Sequence, residues 1–253
     1  MVAPRGRDYR GSMADFVLVP GAWLGAWAWD EVVPRLRTAG HGVHPVTLTG
    51  LVGEDDGRAD GEHDAVGLET HVQDVVRAVE DRGLKEAVLV GHSYSGIPVA
   101  MAAERIGARL ARLVLVDAEI PVEGRSFANS LWDGGGMAAA AIRHNGGFWA
   151  PLIAEDFEGQ GLSQQQVERI VAGSVPHPGA SLTEPASLAR SLSELPATYV
   201  KCLLDGPEPR TEVAELLQGE RWDLVEMHTG HWPMFSRPQE LARVLMETTG
   251  ARS

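Results

Sequence analysis

The sequence predicts an α/β fold, a doubly wound and mainly parallel six-stranded sheet with an inserted cap. Three observations carry the prediction. Six short β-branched runs alternate with segments of helical period, at residues 16–19, 43–48, 87–90, 113–116, 198–204 and 224–227. The runs are continuously apolar rather than alternating, as strands covered by helices on both faces must be. After the fourth run the alternation stops, and residues 121–196 become rich in Gly, Ala, Trp and Pro. An insertion there is most simply a cap over the carboxyl edge of the sheet, where ligands bind in such folds.

The elements follow in order. Residues 1–13 read as an N-terminal extension expected to be disordered, because Gly11-Ser12-Met13 looks like a cloning remnant before a start codon. One domain is then expected over 14–253. The clearest helix spans 68–82, where Leu68, Val72, Val75, Val76 and Val79 form one apolar stripe and Gly83 is placed to end it. The last helix is expected to start at Ser236, a serine N-cap with Gln239 three residues on and Pro238 in the first turn.

Composition narrows the function. At 253 residues, with 44% apolar and 23% charged residues, the chain suits one large globular domain. The formal charge of −13 repels phosphate backbones and anionic membranes, so neither nucleic acid nor membrane is an expected partner. A single cysteine, Cys202, allows no intramolecular disulfide, and no apolar run near the N-terminus is long enough for a signal or membrane segment. The expected location is therefore cytoplasmic. In the acidic loop 54–64, Asp56, Asp60 and Gly61 match positions of a calcium-binding loop. Arg58 and Gly67 break that count, which leaves a solvated charged loop. No paired Cys or His-Glu-x-x-His pattern occurs, His41 and His44 alone are weak ligands, and no metal or organic cofactor is expected.

Gly91-His-Ser-Tyr-Ser-Gly96 directly follows the third run. A nucleophile on a tight strand-to-helix turn needs small residues two before and two after it. Ser93 has Gly91 and Ser95 there, whereas Ser95 would have Ser93 and the β-branched Ile97. Ser93 is the nucleophile candidate, and His92 reads as a structural neighbour of the turn. A serine hydroxyl needs a base, and the base an orienting acid. Asp205 ends the fifth run and His231 follows the sixth, which places both on the same sheet edge as Ser93. Asp117, after the fourth run, is the rival acid, and His228 the rival base. The oxyanion donors expected are the backbone N–H of Tyr94 and that of Ala22, in the Gly-rich loop after the first run. Trp23, Phe148, Trp149, Trp232 and Met234 are candidates to line an apolar pocket, with core packing as the alternative for each.

These residues resemble a known family: the α/β-hydrolases related to plant methyl esterases, hydroxynitrile lyases and actinobacterial esterases. The likeness runs over nearly all of residues 15–248. It rests on Val19-Pro-Gly-Ala-Trp-Leu-Gly25, Gly91-His-Ser-Tyr94, Val116-Asp-Ala118, Cys202-Leu-Leu-Asp205 and Gly230-His-Trp-Pro-Met-Phe235. The resemblance implies Ser93, Asp205 and His231 as a triad, with Ala22 and Tyr94 as the oxyanion hole. By the same likeness, Asp117 is a common family residue that needs no catalytic explanation, and a homodimer is implied. Two departures stand out: Pro20 replaces the usual His, and Ser95 the usual Gly. The lyases of the family are marked by a Thr in the oxyanion loop and a Lys after the catalytic His. Here Gly21 and Trp232 hold those places, so no cation remains to stabilise a departing cyanide. The function expected is a serine hydrolase acting on a small or medium apolar carboxylic ester or lactone, with a small-molecule substrate as its partner; the alternatives are non-ester chemistry on the same fold, such as C–C cleavage, cofactor-free oxygenation or a biosynthetic rearrangement, and a ligand-binding protein on a hydrolase scaffold.

Overall fold

A computed structural model describes residues 13–52, 66–131 and 134–250. The proposed N-terminal extension lies almost wholly outside the described residues, and so does the acidic loop 54–64. Six strands, β1 (Asp15–Val19), β2 (Gly42–Pro45), β3 (Ala87–His92), β4 (Leu110–Val116), β7 (Ala197–Cys202) and β8 (Trp222–Met227), form one parallel sheet in the order β2-β1-β3-β4-β7-β8. Between β4 and β7 lies a two-stranded antiparallel ribbon, β5 (Phe148–Trp149) with β6 (His177–Pro178).

Successive side chains of a strand point to opposite faces, and here both faces are covered. Val17, Val19, Leu89, Leu113, Leu115 and Tyr199 join the core beneath helices α2 (Leu68–Glu80) and α3 (Gly96–Ile106), if α1 (Val33–Thr38) is counted first. Phe16, Leu18, Val88, Val90, Val114 and Val200 join the opposite core, with Leu36 of α1. Each fully buried Val or Leu contributes about 1.5–3 kcal/mol relative to exposure, so the central strands hold rigidly whatever is mounted on their ends.

Three boundaries differ from the sequence-based expectation. Strand β2 stops at Pro45 and β7 at Cys202, short of residues 48 and 204; Leu203–Asp205 instead turns as a single 3-10 turn. Ser236 is not the cap of the last helix. It closes a short turn of helix, Pro233–Ser236, and its hydroxyl bonds Thr229 Oγ1 and the Trp232 carbonyl, while the last helix runs from Pro238 to Thr248. Pro233 and Pro238 each open a turn, and the chain re-orients between them.

Chain order places the site. From β1 the chain goes outward to β2 and then returns to β3 on the other side of β1. Loops leaving β1 and β3 diverge at this reversal, which opens a crevice at the carboxyl ends of those strands. The loop 20–25 and Ser93 sit at its two lips. The segment between β4 and β7 adds α4 (Phe127–Ser130), α5 (Gly136–His144), α6 (Gln164–Gly173) and α7 (Gly179–Thr183). It also braces the sheet's helices: Glu184 Oε2 accepts from the Leu68 N–H at 2.6 Å, at the exposed donor end of α2. Among the described residues, no helix is long and apolar enough to cross a membrane.

Candidate active site

Ser93 follows the last residue of β3 with φ of 55°, a left-handed conformation that costs a residue with a Cβ about 1–2 kcal/mol. The turn is held from both sides. The Ser93 carbonyl accepts from the Glu119 N–H at 3.0 Å. A Cβ at Gly96 would run into the Glu119 carbonyl, so the close approach that demands glycine has moved one residue beyond Ser95. This is why Ser95 is tolerated. Its hydroxyl is fully buried, accepts from the His92 N–H at 2.8 Å, and lies 2.8 Å from the Val19 carbonyl and 2.9 Å from that of His92. It ties the elbow to the end of β1. Ser95→Gly should leave these groups unpaired and cost about 1–3 kcal/mol. For a domain of this size, thermal unfolding should drop by about 2–4 °C per kcal/mol. An unchanged melting temperature would show that the hydroxyl is incidental.

The loop after β1 lies directly against Ser93. A Cβ at Gly21 would sit 2.9 Å from the Ser93 Cβ and 2.9 Å from His92 Nδ1. Trp23 is also left-handed, at φ 66°. Its N–H donates to His177 Nδ1 at 3.1 Å and its carbonyl accepts from the Val175 N–H at 3.0 Å. Among the described residues the neighbouring Ala22 N–H has no partner. The Tyr94 N–H lies in the first turn after the elbow, where backbone donors have no intrahelical acceptor. The Tyr94 ring itself is fully buried, and its hydroxyl donates to His71 Nδ1 at 2.8 Å.

His231 occupies the loop after β8, while His228 is exposed and outside the site. The His231 backbone is fixed at both ends: its N–H donates to Gln160 Oε1 at 2.7 Å, and its carbonyl accepts from His92 Nε2 at 2.7 Å. His92 therefore does more than pack beside the turn. It joins β3 to the loop that carries His231, and burial, with His231 nearby, lowers its pKa to about 3, so it stays neutral.

Two carboxylates reach the same ring nitrogen. Asp117 Oδ2 is 2.8 Å from His231 Nδ1 and Asp205 Oδ2 is 3.2 Å from it. Asp117, the rival acid, therefore meets the same nitrogen as Asp205. Strands β4 and β7 are neighbours in the sheet, so the residues that follow them converge. Asp117 is the more buried of the two, with 6% of its side chain exposed against 25% for Asp205. Its other oxygen accepts from Lys201 Nζ at 3.0 Å and from the Cys202 N–H at 3.2 Å. Asp205 Oδ1 accepts from Gln160 Nε2 at 2.8 Å. Burial alone would lower the His231 pKa, but the hydrogen bonds and charges of Asp117 and Asp205 outweigh it and push it up to about 9. Burial works against the charge of Asp205, yet its bonds to His231 and Gln160 hold its carboxyl below the usual range. These three side chains are close enough to hold a cation. The Lys201 ammonium already supplies positive charge to Asp117, so the arrangement suits a proton-bridging role better than a metal.

Among the described residues, neither the Ser93 hydroxyl nor His231 Nε2 has a hydrogen-bond partner. Aromatic side chains pair beside the loop 20–25 and beside His231. Trp23 meets Trp149 edge-on at 4.9 Å, and Trp232 lies 4.5 Å from Phe157 and 5.0 Å from the His231 ring, centroid to centroid. Phe148 is half-buried beside Trp149 on the ribbon, whereas Met234 is fully buried in the core with Phe235 and Leu241. A polar cavity of about 180 Å³ opens beside Asp117, Lys201, Asp205 and His231. A larger surface groove of about 670 Å³, between Arg35, Arg169 and Arg237, touches none of the site residues. Sequence reasoning missed Gln160, His177 and Lys201. Lys201 carried the one available signal, a lone charge inside an apolar strand.

A family model described as the alpha/beta hydrolase family matches residues 16–244. The chain belongs to the alpha/beta hydrolase family. This hydrolase-fold chain is 36% identical over 246 residues to the carbendazim hydrolyzing esterase of Nocardioides sp. (strain SG-4G), covering 92% of this chain and 98% of that protein. It is 28% identical to Methylesterase 1 of Arabidopsis thaliana, covering 90% and 92%. Among solved structures, an extracellular alpha/beta-hydrolase from a Paenibacillus species, described as sharing homology with tobacco salicylic acid binding protein 2, aligns with a TM-score of 0.78. That alignment covers 93% of this chain and 98% of the other at 22% identity. The esterase relatives support ester cleavage as the general chemistry, and the resemblance to the methyl esterase branch is borne out.

Proposed function

We propose that the chain is a serine hydrolase that cleaves a small or medium apolar carboxylic ester or lactone through an acyl-enzyme. The observation that carries this reading is the left-handed Ser93 lying against Gly21, with His231 held on two carboxylates across the same sheet edge. Ser93 Oγ attacks the carbonyl carbon while His231 Nε2 takes its proton. Asp205 and Asp117 together hold the Nδ1–H and stabilise the imidazolium that forms. The Ala22 and Tyr94 N–H groups receive the negative charge that develops on the carbonyl oxygen, where fixed donors need no reorganisation. His231 then returns the proton to the leaving alcohol. Water, deprotonated by the same nitrogen, releases the acid and restores Ser93.

The aromatic walls formed by Trp23, Trp149, Phe157 and Trp232 favour a flat or apolar acyl group. Methyl esters of aromatic acids are the first substrates to try, in keeping with a methylesterase among the relatives. The test is a fluorophosphonate probe followed by peptide mapping, run beside hydrolysis of an ester panel. The expected result is one adduct, on Ser93, with ester turnover lost in proportion to labelling. An adduct on Ser95, or no adduct, would overturn the reading.

A further inference from the structure

His177 faces both halves of the proposed oxyanion hole from the segment inserted between β4 and β7. Its Nδ1 accepts from the Trp23 N–H at 3.1 Å, and two residues earlier the Val175 N–H donates to the Trp23 carbonyl at 3.0 Å. Both peptide groups of a left-handed residue are thus held by one short stretch of the insert. On its other side the His177 ring packs edge-on against Tyr94, with centroids 4.8 Å apart. Tyr94 carries the second proposed donor. The ring's tautomer is set by its bonds. Nδ1 must be bare to accept from an N–H, so Nε2 carries the proton and donates to Ser181 Oγ at 2.9 Å, and Ser181 donates to the Pro178 carbonyl at 2.7 Å. His177 is fully buried, which keeps it in this neutral form.

We propose that His177 is a positioning residue for the oxyanion hole: with Val175 it clamps Trp23, which leaves the Ala22 N–H as the loop's free donor beside Ser93. Without the clamp, the peptides on either side of Trp23 can rotate out of its left-handed setting, and Ala22, whose N–H lies in the preceding Gly21–Ala22 peptide, loses its anchor. The donor geometry in the transition state is then lost, while Trp232 and Phe157, which the clamp does not touch, stay in place for ground-state binding. The insert therefore belongs to the catalytic apparatus as well as to the pocket. This inference rests on the ester-hydrolase reading given above.

The test compares His177→Leu, His177→Asn and Ser181→Ala with the parent on a 4-nitrophenyl ester, with rates divided by the active sites titrated with fluorophosphonate. A trifluoromethyl ketone serves as the transition-state mimic. His177→Leu should lower kcat per titrated site by about 10–100-fold, less than the full loss of an oxyanion donor. KM should stay within about twofold, and ketone affinity should fall in step with kcat, since both depend on transition-state donors. Asn places an oxygen near the position of Nδ1, so His177→Asn should recover most of the rate. Ser181→Ala, a milder change that leaves the ring in place but frees its tautomer, should lose about 3–10-fold, as one orienting hydrogen bond is worth about 1 kcal/mol. The proposal is overturned if kcat per site and ketone affinity in His177→Leu stay within twofold of the parent, or if Asn is as impaired as Leu. Should Leu fail to fold, an unaltered rate in Ser181→Ala overturns it. Failure of the parent to label on Ser93 would instead overturn the ester reading, a separate outcome.

Discussion

Ser93→Ala should lower ester turnover by about 10⁵–10⁶-fold, the scale seen when a triad nucleophile is removed. Substrate binding should change little, because the Trp23, Trp149 and Trp232 walls are untouched. Ser95 offers no rescue. Its hydroxyl is fully buried and its proton is committed to the Val19 and His92 carbonyls, facing away from any substrate. Backbone geometry adds a second readout. A left-handed residue with a Cβ costs about 1–2 kcal/mol that glycine avoids, so Ser93→Gly should be about 1 kcal/mol more stable to urea than Ser93→Ala. A nucleophile held under strain is a place where function and stability oppose each other. Ester turnover in Ser93→Ala within tenfold of the parent would end the case for Ser93 as nucleophile.

The second large effect concerns the pair of acids. With one carboxylate on His231 Nδ1, replacing that acid by its amide costs about 10⁴-fold in kcat, because the imidazole loses its tautomer and orientation. Here Asp117 at 2.8 Å and Asp205 at 3.2 Å share the nitrogen. Asp205→Asn alone should therefore lose far less, about 10–100-fold, and only the double variant should approach 10⁴. Asp117→Asn carries a further penalty. It strips the buried Lys201 ammonium of its charge partner, a change of about 3–5 kcal/mol when a buried pair loses one member. Full loss in Asp205→Asn alone, with Asp117→Asn unaffected in rate, would show that Asp117 is only a counter-ion for Lys201.

The same pair sets the pH dependence. His231 must be neutral to accept the Ser93 proton, and its pKa is pushed up to about 9 against a usual value of 6.5. The ascending limb of kcat/KM should therefore lie on the alkaline side, and removal of either carboxylate should move it to lower pH. Stability runs the other way. A raised histidine pKa stabilises the fold fully below about 6.5, and that contribution is lost as pH climbs through about 9. An ascending limb that stays in place in Asp117→Asn would show that Asp117 does not act on His231.

How much of this was legible in the sequence follows from what is local. Parallel strands buried on both faces leave continuous apolar runs, so six strands and their order along the chain were readable. The turn at Ser93 is readable too, because Gly91 and Ser95, the small residues that its geometry demands, stand two before and two after it in the chain. His231 followed from its place after the last strand. The finer local features were less secure. Whether Ser236 caps the final helix depended on how two prolines divide one stretch of chain, which packing decides.

The acid could not be chosen from chain order, since both Asp117 and Asp205 end strands at the right edge. Only the pairing of β4 with β7 brings them to one nitrogen. The braces are more distant still. Gln160 reaches Asp205 and His231, and His177 reaches Trp23, from a segment with no periodicity that betrays where it folds back. The sequence by itself determined the sheet, the tight turn at Ser93 and the place of His231 after the last strand, because strand burial and turn sterics act between near neighbours. The tertiary structure alone decided which carboxylates share that histidine and what holds the oxyanion loop, because those contacts join residues that only the folded sheet and its insert bring within hydrogen-bonding distance.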